Sequence, residues 1–577
     1  MPVAASAELI LPYHLSNYFH KEPLLDWLKL YGPDHGFQKD EPKDPETDMG
    51  LFLKEKSGSF RLAVLRCLRE KGFDCVDLSQ WSDATTRQEA SARTIEYLQA
   101  GAEVIYRGTL IDEEAGVFAT PDFLIRSDVL CRVTDDPQLA DGPLHHRIVN
   151  ARFSGLRFNA DGETLGSSSL KHKAKLLLEN RALAKAQGTF PSHAYLLGRT
   201  WSYVSKGVDF RGKGCLERLA AVDMNDPSLA TELDRALAWL KRVRAEGAQW
   251  QIYPQPSIPE LWPNSANTYD GPWHTAKSEI AQTLKDPNLL WNVGADKRDR
   301  AVANGILTFS DPRATAADFG IAGPNQAPIL DAFLATIRSQ EARKVFPHRV
   351  NADRDKWGTC AGVEFYVDFE TVSNLDDDFS AMPAVGGQAL IFMIGCGHME
   401  DGKWTFRCFT TDLLNEVCEA QIIDEWLAHM EEVRLRLAPG CEKPLCFHWS
   451  PAEKSNFLTQ YNSACARQPH KNWPEPNWYD FLKHVIKKEP VMVKDALSFG
   501  LKPLAKAMFK HGLIHKEWTD GPGDGLAAMV GAWRCNAKAR LQGCSMRELP
   551  LMKSIEDYNE VDCQVMQQIV HYLREHH

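Results

Sequence analysis

The segment Val367-Asp368-Phe369-Glu370-Thr371 closes an apolar run that begins at Val363 and reads as a β-strand. Side chains two apart in a strand share a face, so Asp368 and Glu370 project together. Paired carboxylates repel one another unless a cation lies between them, and oxygen donors at this spacing suit a hard divalent ion, Mg²⁺ or Mn²⁺. A solvated strand face would also accommodate one such pair, so the rest of the chain has to decide.

Two more strands are expected next, Ala389 to Met399 and Lys403 to Thr410, with Asp401-Gly402 as the turn between them. A helix from Asp412 to Leu435, a strand from Pro444 to Trp449 and a further helix follow, and the chain closes on a helix from about Met546 to Glu575. On that last helix, Tyr558-Asn559-Glu560-Val561-Asp562 puts Tyr558 and Asp562 on one face. A tyrosine hydroxyl one turn before a metal-binding Asp could position a water or help deprotonate it. His448-Trp449-Ser450-Pro451-Ala452-Glu453 follows the fourth strand and sets Glu453 at the entrance of the next helix. Between these motifs lie Lys483, Lys487, Lys488, Lys494, Lys502, Lys506 and Lys510, which could neutralise phosphates or simply face solvent.

Residues 361–577 resemble the DnaQ-like 3′–5′ exonucleases of the ribonuclease H-like superfamily, in the branch with Tyr in its last motif. Asp368 and Glu370 match that family's Asp-x-Glu strand, and Tyr558 and Asp562 match its Tyr-x-x-x-Asp helix. Its middle motif reads His-Asn-x-x-Phe-Asp; His448 matches, and Glu453 stands where Asp is usual. The resemblance implies two-metal phosphodiester hydrolysis, with Asp368 bridging two Mg²⁺ or Mn²⁺ ions and Glu370, Glu453 and Asp562 completing the ligands. Tyr558 would orient the attacking water, and His448 and Lys502 would meet the nucleic acid. Asp480 and Asp495 are further candidates for the ligand role of Glu453.

Residues 1–207 read as a mixed α/β core. The expected order is helices around Phe60–Leu68 and Thr85–Ala100, strands Glu103–Tyr106, Gly116–Arg126 and Arg147–Phe153, a helix Leu170–Gln187, and a strand Ala194–Leu197. This region resembles the RecB-type branch of the PD-(D/E)XK nucleases. Gly116 to Ile125 matches the strand bearing that family's first metal-binding acid, at Asp122, and Arg147 to Arg152 occupies the strand of its Asp/Glu-x-Lys. Here Asn150 replaces the second acid and Arg152 the lysine, and a guanidinium is a poor proton acceptor. Arg61 stands where the family has Glu, and Lys175 near its Gln. The resemblance therefore implies a degenerate site, Asp122, Asn150 and Arg152, on a retained fold.

Binding is what such a fold could keep. Between Asn150 and Ala220 there are twelve Lys and Arg against five Asp and Glu, in a chain whose net charge is −11. Arg152, Lys171, Lys173 and Lys175, with Arg181 and Lys185, are expected to hold nucleic acid; the alternative is an Arg152–Asp122 ion pair. Residual cutting through Asp122 is a third reading.

Residues 208–350 read as a helical connecting domain, with small helical hairpins at Leu289–Ile306 and Ala316–Ile321 and a linker at Asp353-Arg354-Asp355-Lys356. The expected fold class is thus multidomain α/β. A chain of 577 residues, 44% hydrophobic and 25% charged, is not a disordered one. The start Met1-Pro2-Val3-Ala4-Ala5 shows no secretory pattern, and the most apolar run, Ala389 to Cys396, is too short for a bilayer, so a cytoplasmic, non-membrane protein is expected. Fourteen scattered cysteines without a CxxC pair argue against zinc ribbons and iron–sulfur clusters. The overall expectation is a nuclease acting on DNA or RNA, a 3′–5′ exonuclease by the resemblance. The alternative is a non-catalytic nucleic-acid-binding or assembly subunit of a repair, defence or mobile-element complex.

Overall fold

The computed structural model describes residues 9–81, 87–134, 144–166, 169–213, 215–360, 362–449, 456–518 and 523–577. Two mixed sheets with flanking helices make this a multidomain α/β protein.

Helix α1 (Met49–Glu70) begins at Asp48, whose carboxylate accepts from the Gly50 N–H, and buries Phe60, Val64 and Leu68 on one face. The first sheet follows: β1 (Cys75–Asp77), helix α2 (Arg87–Gln99), β2 (Val104–Tyr106), β3 (Phe123–Arg126), β4 (His146–Arg157), helix α3 (Leu170–Gln187), β5 (His193–Ser205), β6 (Val208–Gly212) and β7 (Leu219–Asp223). Its order is β1-β2-β3-β4-β5-β6, with β7 also on β5. The pairs β1/β2 and β4/β5 are parallel.

The single strand expected over Gly116–Arg126 is two. Val117–Ala119 pairs with Leu110–Asp112 as a separate ribbon, and only Phe123–Arg126 joins the main sheet. Pro121 cannot donate to a ladder, and the Asp122 N–H donates to the Asn150 side chain, so the run breaks there. Beyond residue 207 the sheet continues: β6 forms a hairpin with β5, and β7 adds to the other half of the same edge. Trp239, Trp262 and Trp273 pack in one core with Leu24, Trp27 and Leu177, so much of the middle region lies against the first sheet.

Further along, helix α4 (Ala295–Ala303) stands in the first expected hairpin and a short 3₁₀ turn, Ala316–Phe319, in the second. The α4 cation Arg298 is buried against Asp286, which leaves it turned inward rather than toward a phosphate. The expected linker runs into a buried anchor at Trp357. Arg354–Trp357 forms one helical turn, with Trp357 fully enclosed and Arg354 donating to the Leu573 and Arg574 carbonyls.

The second sheet comprises β8 (Phe365–Val372), β9 (Leu390–Glu400), β10 (Lys403–Thr410), β11 (Leu445–His448) and β12 (Asn477–Asp480), in the order β10-β9-β8-β11-β12. The first three are antiparallel, while β11 and β12 run parallel to β8. Helix α5 (Glu416–Leu437) starts four residues later than expected because Asn415 caps it, accepting from the Cys418 N–H. Helices α6 (Leu501–Lys510), α7 (Gly525–Gln542) and α8 (Pro550–His576) follow, the last opening with Pro550 in its first turn.

Helix α1 touches both sheets' surroundings. Phe52 stacks on Trp533 of α7 at 4.5 Å, and Glu55 pairs with Arg534 at 2.6 Å. Between β8 and β9, Leu375, Phe379 and Met382 pack against the core of the first sheet, and Asp377 meets Arg199 of β5 in a buried ion pair. No helix among the described residues is long and apolar enough to cross a membrane.

Candidate metal centre

Strand β8 carries Asp368 and Glu370 on one face, and its ladder with β9 slips just after Glu370, a bulge of the kind that re-aims side chains. Helix α8 crosses that face. Glu556 accepts from Thr410 at 2.8 Å, Glu560 from Trp404 at 3.2 Å, and Asn559 donates to Asp368 Oδ2 at 2.9 Å. These tethers bring Asp562 to the strand pair. One oxygen from each of Asp368, Glu370 and Asp562 lies within 4.8 Å of the others.

Three acids this close raise one another's pKa. Burial pushes Asp368 well above the usual carboxylate range, with the Asp562 charge adding to it. Burial does the same to Glu370, reinforced by Asp368 and Asp562. Asp562 is pushed up to about 6 by burial, against the pull of Lys502 and hydrogen bonds from Trp518 and Tyr558. All three can be ionised together only beside compensating positive charge. The donor set is entirely oxygen, which fits Mg²⁺ or Mn²⁺.

A pocket of about 450 Å³ opens beside the acids. Asp368, Tyr558, Asp562 and Lys502 line one side; Trp291, Trp449 and Phe499 line another. Lys502 Nζ lies 4.5 Å from the Tyr558 ring centre and donates to the Gly523 carbonyl at 2.8 Å. Trp518 Nε1 donates to Asp562 Oδ1 at 3.0 Å. Burial, with the three nearby carboxylates, drives the Tyr558 hydroxyl far above its ordinary value, so it is a firm hydrogen-bond donor. A protonated hydroxyl suits orienting a water better than deprotonating one.

Asp368, Glu370, Tyr558, Asp562 and Lys502 are thus together. Glu453 lies outside the described residues. His448 is buried at the end of β11, edge-on to Trp478 at 5.8 Å, its imidazole pushed down to about 4 by burial, and it does not line the pocket. Asp480 accepts from the Lys483 N–H, and Asp495 pairs with Lys510 at 2.8 Å and His511 at 3.1 Å; neither joins the acidic group. Lys488 pairs with Asp353, and Lys494 donates to the Ser339 and Glu341 carbonyls, so part of the lysine-rich stretch holds the fold. Asn559, Trp518 and Trp291 carried no separate signal. Asn559 stands inside the motif read for its neighbours, and the two tryptophans arrive from distant segments.

In the first sheet, Asp122 does not pair with Arg152. Its carboxylate faces Arg61 at 3.5 Å and Arg107 at 3.6 Å and accepts from the Ala151 N–H at 3.0 Å. Asn150 donates to Glu179 of α3 at 2.6 Å. Glu179 was missed, although it stands one turn beyond Lys175 on the same helix face. Burial pushes Glu179 up to about 8 and raises Asp122 too. Two guanidinium groups and an amide therefore occupy the space around Asp122 that a metal ion would need.

Comparison with protein-family models, curated proteins and solved structures finds no match to this chain.

Proposed function

We propose that the protein is a metal-dependent nuclease that hydrolyses phosphodiester bonds of DNA or RNA, working from the 3′ end. The observation that carries this reading is the convergence of Asp368, Glu370 and Asp562 at the mouth of a pocket walled by a lysine and aromatic rings. The strand order β10-β9-β8-β11-β12, antiparallel then parallel, supports the resemblance to ribonuclease H-like exonucleases. The described cysteines are all free, which suits a reducing, cytoplasmic setting.

Bound by the three acids, Mg²⁺ or Mn²⁺ would lower the pKa of a coordinated water and offset charge on the leaving oxygen. The chain's own groups do the rest. Asn559 fixes the rotamer of Asp368 through its amide. Tyr558, a protonated donor, orients the water oxygen toward phosphorus, and Lys502 balances the phosphate charge. Trp291 and Trp449 offer apolar faces to the sugar and base of the reacting nucleotide and limit water at the site, with Phe499 packed behind Trp291.

The test is incubation of 5′-labelled single-stranded DNA and RNA with Mn²⁺, Mg²⁺ or EDTA, alongside Asp368→Ala and Asp122→Ala. A metal-dependent ladder lost only in Asp368→Ala supports the reading. Cleavage that survives that change, or binding without any turnover, overturns it; the second outcome would leave a binding subunit.

A further inference from the structure

The cations expected on α3 divide into two sets. Lys173 donates to the Leu165 carbonyl at 2.9 Å, Arg181 pairs with Asp234 at 2.7 Å, and Lys185 pairs with Asp112 and Glu114, each at 2.7 Å. Those three serve the fold. Arg152 of β4 and Lys175 of α3 have no carboxylate at ion-pair distance among the described residues, and both are only partly exposed. Lys171, one turn before Lys175, lies 2.9 Å from His20 Nε2 and 5.4 Å from the centre of the Tyr269 ring. His20 stacks on Tyr269 at 5.1 Å, and Tyr269 is 70% exposed.

These groups lie along one seam between β4 and α3. Asn150 and Arg152 share a face of β4, and Asn150 contacts Glu179, one turn past Lys175 on α3. Arg152 and Lys175 therefore stand one step further along the same seam, between strand and helix. Burial presses the charged forms: Arg152 is pushed down to about 10, Lys175 to about 8 by burial and then Lys171, and His172 to about 2 by burial and then Arg152. Cations drawn this close raise one another's energy unless an anion joins them. An aromatic pair with one open face beside them adds a surface on which an unpaired base can stack.

We propose that this seam binds a single-stranded polynucleotide without a metal, phosphates on Arg152, Lys171 and Lys175 and a base on Tyr269. Asp122 and Glu179 are closed off by Arg61, Arg107 and Asn150, and the seam beside them is cationic. The choice of a polynucleotide over a small anion rests in part on the hydrolytic reading above, and the test keeps the two apart.

Fluorescence anisotropy of a labelled 20-nucleotide single strand in EDTA, over a range of salt, measures binding with hydrolysis switched off. Lys175→Gln and Arg152→Gln should each weaken binding about tenfold and reduce the slope of log affinity against log salt by about 0.7. Tyr269→Ala should weaken it about five- to hundredfold while leaving that slope unchanged, a pattern a folding defect would not give. Tyr269 and Lys175 are exposed or half-exposed, so those variants keep the test alive if Arg152→Gln does not fold. Wild-type affinity and slope in Lys175→Gln and Tyr269→Ala overturn the proposal, as does tighter binding of a duplex of equal length. Loss of cleavage in Asp368→Asn with binding in EDTA retained leaves it standing, and an Asp368→Asn protein that still cleaves would overturn the hydrolytic reading alone.

Discussion

Asn559 fills the space over Gly395: a Cβ placed on Gly395 would lie 1.8 Å from the Asn559 Oδ1 atom. Gly395 sits directly across the ladder from Asp368, the residue whose carboxylate the Asn559 amide holds. The missing side chain on β9 is therefore what lets α8 reach the acidic cluster. Gly395→Ala should cost about 10- to 100-fold in activity or metal affinity, the usual scale for losing a group that orients a ligand. Asn559→Ala should cost the same, and the double variant no more than either. Initial rates across a Mn²⁺ titration decide it; wild-type rates in Gly395→Ala would sink the argument.

Metal and stability should be linked at Asp368. A cation held only by the folded chain stabilises it by about 2.7 kcal/mol at a hundred times its dissociation constant. Thermal melts of the wild type should rise with Mn²⁺ and return to baseline in EDTA. Asp368→Asn should show little or no Mn²⁺-dependent rise, with cleavage at background.

Tyr558 is read as a donor that stays protonated. Tyr558→Phe should lower kcat by about 10²-fold with KM little changed, on the scale of one lost oriented hydrogen bond at a transition state. Because no titrating group is removed, the shape of the pH–rate profile should be preserved. A lost basic limb in the variant would instead assign the hydroxyl a proton-accepting role.

Glu179 gives a pH signature away from the metal centre. Its folded pKa, about 8, lies above its ordinary value of 4.5 because of burial. The protonated form is thus favoured by folding, so its contribution is complete below the ordinary value and is lost as pH rises to about 8. The slope for one such group is about 1.4 kcal/mol per pH unit. Glu179→Gln keeps the acceptor for Asn150 and cannot ionise. Urea denaturation at pH 5.5, 7 and 8.5 should show a flatter decline in the variant than in the wild type; parallel profiles would refute this.

The apolar runs of β8 and β9, the helical period of α8 and the Asp401-Gly402 turn before β10 made these elements legible, and Asp401 in that turn adopts φ 49°. Asp368, Glu370, Tyr558 and Asp562 were legible as local spacings on those elements. What local spacing cannot carry is the meeting of distant segments: Trp518 on Asp562, Trp291 in the pocket, Arg107 on Asp122. The strand expected through Gly116–Arg126 runs across Pro121, where the chain breaks into two strands. The polar run Asp353 to Lys356 resembled a linker because the burial of neighbouring Trp357 depends on partners more than a hundred residues later.

Helix α1 sets Phe52 against Trp533 at one end and Arg61 against Asp122 further along, while the turn after β8 returns Asp377 to Arg199. Asp368 and Glu370 therefore hang from a strand whose far end is moored in the other half of the molecule. A fragment cut near residue 361 would leave Trp533, Leu375 and Phe379 bare to water and the β8 turn untethered. Its silence in an assay would measure that damage, and either half must be judged with the other in place.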